Sequence, residues 1–61
     1  MTPFFAIELI EGIVEAPLDQ VLEAWQYLLA TGIVWQLQGA YGRKALDLIE
    51  QGLIINNTTH N

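Results

Sequence analysis

A chain with no cysteine has to hold itself together by burial alone, and this one has only 61 residues with which to do it. Disulfides and thiolate metal sites are excluded together. The single histidine, His60, stands next to the last residue, so a zinc site would have to be built from carboxylates, a donor set zinc rarely accepts alone. No metal or cofactor is therefore expected. A chain this short buries only about 60% of the surface its unfolded form exposes. Oligomerisation is the remaining aid to stability.

The apolar fraction, 52%, and the mean hydropathy of +0.33 point the same way. So much apolar side chain cannot all be hidden inside so small a body, and an exposed excess marks an interface. A homodimer is the simplest closed solution. A membrane is the competing use of apolar surface. However, Glu8, Glu11, Glu15, Asp19 and Glu23 interrupt the first 42 residues every three or four positions, and no run approaches the roughly 18 apolar residues of a spanning helix. No positively charged segment precedes the early apolar residues, so no secretory signal is expected and the cytoplasm is the expected location. The Asn-x-Thr matches at Asn56 and Asn57 are then coincidental. The net charge of −5, with Arg43 and Lys44 the two cations, argues against direct nucleic-acid binding, which needs clustered Lys and Arg.

The periodicity predicts an all-α chain of three to four short helices, over about 3–11, 18–31, a short 34–38 and 43–51, the 34–38 segment fitting either a turn and a half of helix ended by Gly39 or a short extended piece. They should form a compact helical hairpin or bundle, dimeric, with residues 1–55 as one domain and 56–61 as a mobile polar tail. Thr2 and Pro3 are an N-cap and a first helical residue. Residues 4–11 keep helical spacing in their glutamates, although Phe5, Ile7 and Leu9 also alternate as a strand would. Gly12 ends that segment. After Pro17, the residues Leu18, Val21, Leu22, Trp25, Leu28 and Leu29 follow the i, i+3, i+4, i+7 rule. Asp19, Gln20, Glu23 and Gln26 take the opposite face, and Thr31-Gly32 is the stop. Ala40-Tyr41-Gly42 reads as a turn before the last helix, and Gly52-Leu53 as its end.

Catalysis is not expected. There is no cysteine, no usable histidine, the two cations are adjacent, and a chain of this size has little room for a substrate-burying pocket. The acidic row from Glu8 to Glu23 has the spacing of one helical face and is able to imitate a DNA backbone. Solubility is the plainer explanation, because Gly12 and Pro17 break the row. The segment that departs from ordinary helix filler is Trp35 to Arg43, in which Trp35, Gln36, Gln38, Tyr41 and Arg43 gather around two glycines. Trp, Tyr and Arg dominate binding hot spots, so these five are the candidate partner-binding residues. The architectural alternative is that Trp35 fills the space between helices and the glutamines bond to loop carbonyls.

The stretch Leu29 to Arg43, with Thr31-Gly32, Trp35-Gln36-Leu37-Gln38-Gly39 and Tyr41-Gly42-Arg43, followed by Leu48-Ile49-Glu50-Gln51-Gly52, resembles a family of very short uncharacterised bacteriophage and prophage proteins. The resemblance covers roughly residues 18 to 54. It implies a phage or prophage origin and carries no catalytic residues. The expected function is a non-enzymatic accessory protein that binds and modulates or inhibits a host protein. The alternatives are a structural or assembly component of the particle, or an acidic DNA-mimic inhibitor of a DNA-binding protein.

Overall fold

The computed structural model describes residues 1–57, and among them there are three α-helices, one short 3-10 turn and no strand. The helices are α1 (Pro3–Ile10), α2 (Leu18–Thr31) and α3 (Gly39–Glu50), with the 3-10 turn (Ile33–Gln36) between the last two. The all-α expectation holds, and the ambiguity over residues 4–11 resolves as helix. Thr2 caps α1, its Oγ1 accepting from the Phe5 N–H at 3.2 Å. Pro3 follows where a missing N–H costs nothing. Ala6 and Leu9 are the buried residues of α1, so its inner stripe lies at 6 and 9 rather than on the strand-like set 5, 7 and 9.

The helix ends are set by glycines in the left-handed region, with φ 75° at Gly12, 81° at Gly32 and 77° at Gly52. At Gly52 both bonds of a Schellman close are present: Leu53 N–H to Leu48 C=O at 3.0 Å, and Gly52 N–H to Ile49 C=O at 3.0 Å. At the end of α2 the Thr31 hydroxyl shares its proton between the Tyr27 and Leu28 carbonyls and accepts from the Ile33 N–H. That one side chain turns the chain from helix into the 3-10 segment.

The core is Ala6 and Leu9 of α1, Ala24, Trp25, Leu28 and Leu29 of α2, Val34 of the 3-10 turn, Ala45 and Leu48 of α3, and Ile54 beyond it. Alanines at 6 and 24 let the backbones of α1 and α2 approach closely. By contrast, α3 is joined to α2 mainly through the 3-10 turn, which packs on both. Leu28 and Leu29 are fully buried, each worth about 1.5–3 kcal/mol over an exposed side chain. The Cα radius of gyration, 10.6 Å, is that of a compact chain of this length, for which scaling gives about 10.5 Å.

Three expectations need correction. The last helix begins at Gly39, not at residue 43, so Ala40, Tyr41 and Gly42 form its first turns rather than a loop. Gln38 takes the N-cap position, where its carbonyl accepts from the Tyr41 N–H at 2.9 Å, and its side chain makes no capping bond. Gly39 and Gly42 read as breakers in the sequence, but neither has a positive φ. Second, residues 34–38, open in the sequence between a short helical turn and an extended piece, are neither throughout: a 3-10 turn stops at Gln36 and Leu37 is extended, with ψ 179°. Third, Gln26 is not on a purely solvated face. Its side-chain amide donates to the Ile55 carbonyl at 2.7 Å and to Asn57 Oδ1 at 2.8 Å, while its Oε1 accepts from the Ile55 N–H at 3.0 Å. This fastens residues 53–57 back onto α2 and seats Ile54 in the core. Of the tail expected to be mobile, residues 58–61, including His60, lie outside the described residues.

Candidate partner-binding groove

Because α3 is held off from α2, a groove of about 530 Å³ opens between them, closed at its edges by Ile10 of α1, Ala40 and Leu53. From α2 the lining residues are Leu18, Val21, Leu22 and Trp25, spaced i, i+3, i+4, i+7. From α3 they are Tyr41, Lys44 and Leu48, with Gln51 at its C-cap, again on one helical face. No carboxylate is among the lining residues, although the chain has seven. Lys44, itself exposed, supplies the groove's positive charge.

Tyr41 bridges the two sides of the molecule. Its ring lies against Trp25, centroids 6.4 Å apart and planes at 44°, a tilted aromatic contact. Its hydroxyl donates to the Glu11 carboxylate just past the end of α1. That hydrogen bond, then burial, then the Glu11 charge, raise the phenol above its ordinary pKa of 10.0, so it remains a protonated donor. Tyr41 therefore offers its ring to the groove, while its hydroxyl is already engaged.

The five sequence-predicted residues do not form one site. Trp35, 43% exposed, lies over Gly42: a Cβ placed on Gly42 would stand 3.3 Å from two carbons of the indole ring. Gln36, Gln38 and Arg43 are exposed. Gly42 faces Trp35 and Tyr41 faces Trp25, about 100° apart around α3, so Trp35 and Tyr41 serve different faces. Of the five, only Tyr41 lines the groove. The residues missed are Leu18, Val21, Leu22 and Trp25, assigned to the interior alone, and Lys44. The α2 stripe is legible as the 18, 21, 22, 25 spacing and Lys44 as the i+4 neighbour of Leu48, but that Tyr41 joins their side of the groove shows only once residues 39–50 are taken as one helix.

The acidic row is dispersed. Glu8 is half-buried on α1, Glu11 and Glu15 lie in the connection, and Asp19 and Glu23 are exposed on α2. Among the described residues no group of three or more His, Cys, Asp or Glu side chains is placed to hold a metal ion. No helix among them is long and apolar enough to cross a membrane. The groove's polar groups are an ammonium, an engaged phenol and the Gln51 amide, which donates to Asp47 at 2.8 Å. The arrangement suits binding of an apolar surface.

In comparison with known proteins, the family described as "Domain of unknown function (DUF7417)" matches residues 5–60. No curated protein and no solved structure matches the chain.

Proposed function

We propose that this chain, which belongs to the DUF7417 family, is a non-enzymatic accessory protein that acts by holding another protein in the groove between α2 and α3. The observation that carries this reading is the groove itself. Its lining is mostly apolar, with Trp25 and Tyr41, two residues of the hot-spot type, packed together in its wall. Leu18, 68% exposed, and Leu53, 45% exposed, stand at its rim with no partner in the monomer that would justify their exposure. The resemblance of residues 18 to 54 to short phage proteins supports a phage or prophage origin. The partner is then a host protein in the cytoplasm of the infected bacterium, which the bound chain modulates or inhibits. The same exposed apolar surface supports self-association as a homodimer when no partner is present. The acidic row, broken across two helices and a connection, favours solubility over imitation of DNA.

The test is capture from the presumed host with the wild-type chain, Leu18→Asp and Arg43→Ala. Leu18 is the first residue of α2, where an aspartate suits the helix dipole, so the variant is expected to remain folded. Loss of one specific partner with Leu18→Asp, and its retention with Arg43→Ala, supports the groove. Retention with Leu18→Asp and loss with Arg43→Ala would move the binding surface elsewhere.

A further inference from the structure

Each wall of the groove is a helix that presents one stripe at helical period, Leu18, Val21, Leu22 and Trp25 on one side and Tyr41, Lys44 and Leu48 on the other. Both walls satisfy their backbone groups internally, so the groove offers no row of free N–H and C=O groups to an extended segment. A strand laid there would leave its own backbone groups facing apolar side chains, at the cost of unmade hydrogen bonds. A helix carries its hydrogen bonds with it and needs only an apolar stripe at i, i+3, i+4, i+7 to fill such a channel. With α1, α2 and α3 already in place, one more helix completes a four-helix arrangement.

Charge narrows the choice further. The chain as a whole is at −5, which attracts basic partners at a distance, yet the ionised side chain lining the groove is Lys44. We propose that the groove receives an amphipathic α-helix of the partner protein, with an acidic side chain of that helix placed against Lys44. This rests on the groove being the partner site. The apolar stripe supplies affinity, and the carboxylate fixes the register and direction of the helix.

The probes are synthetic Ala-based peptides of about 15 residues, with Leu at i, i+3, i+4 and i+7 and one flanking position occupied by Glu, Gln or Lys. Binding to the full chain is read by fluorescence anisotropy. The Glu peptide is expected to bind about fivefold tighter than the Lys peptide, a preference that shrinks at about 1 M salt. Lys44→Arg keeps the order, Lys44→Glu reverses it, and Leu18→Asp weakens all three. An order that ignores Lys44, or no binding by any peptide, overturns the proposal. If no peptide binds while capture of a host protein still depends on Leu18, the helix is wrong and the groove stands. If capture is indifferent to Leu18, both fall. A dimer of the wild-type chain that Leu18→Asp separates, and that excess Glu peptide leaves intact in sedimentation, would make a second copy the occupant and would equally overturn the proposal; a dimer that the peptide dissociates supports it.

Discussion

Gln26→Ala is expected to loosen the end of the chain selectively, because one side chain holds both backbone groups of Ile55. Three hydrogen bonds are lost, at 2.7, 2.8 and 3.0 Å. All three are exposed, so each belongs near the low end of the net range, about 0.5 kcal/mol. Their sum, about 1.5 kcal/mol, is offset by roughly 0.4 kcal/mol from the better helix propensity of alanine in α2. The net loss is then about 1 kcal/mol, or about 4–8 °C in Tm for a chain of this length. It grows to about 3 kcal/mol if Ile54, 5% exposed, leaves the core along with its neighbour. Gln26→Glu sharpens the test. It keeps an acceptor for the Ile55 N–H but sets a carboxylate oxygen against the Ile55 carbonyl, so it should be no better tolerated than alanine. Thermal melts give the total, and amide hydrogen exchange by NMR locates it. The Ile55 amide should lose protection while the Leu28 and Leu29 amides change only with global stability. Unchanged exchange at Ile55 in Gln26→Ala would refute the reasoning.

Other outcomes follow from the same structure. Leu28→Ala removes a fully buried side chain and should cost about 2–5 kcal/mol in chemical denaturation, enough to leave the chain largely unfolded. Gly39→Ala meets open space in α3 and should stabilise by up to about 1 kcal/mol, whereas Gly32→Ala, at φ 81°, should cost about 1–2 kcal/mol. Gly42→Ala should give less than Gly39→Ala, because its Cβ must displace the Trp35 ring by a few tenths of an ångström. Tyr41→Phe tests the bond to Glu11. The folded pKa of Tyr41 is raised above 10.0, so its contribution is fully present below that pH and is lost as pH rises through the folded value. Denaturation midpoints measured from about pH 9 upward should fall with an added step in the wild type that the Phe variant lacks.

Much of the fold is legible in the residues, and the exceptions have physical causes. Thr2-Pro3, Thr31-Gly32 and Gly52-Leu53 are local devices whose geometry depends on the residues themselves, and all three act as their chemistry dictates. The start of α3 is different. Gly39 and Gly42 lower helix propensity, and what overrides it is tertiary: Trp35 lying on Gly42 and Tyr41 reaching Trp25 and Glu11. No pattern within nine residues carries that information. The start of α3 also hides part of the groove: Lys44 and Leu48 share a face on a helix from residue 43, but Tyr41 joins them only on one that begins at Gly39. Gln26 was illegible for a related reason, its partner Ile55 being 29 positions away.

The groove as the partner surface is most directly tested by placing the photo-crosslinking residue benzoylphenylalanine, one position at a time, at Leu18, Glu23, Arg43 and Lys44 in the presumed host. Leu18 and Lys44 line the groove, whereas Glu23 and Arg43 are exposed on the far faces of α2 and α3. The account predicts a crosslink to the same single host protein from positions 18 and 44 and none from 23 or 43. Crosslinks from 23 or 43, with none from 18 and 44, would contradict it.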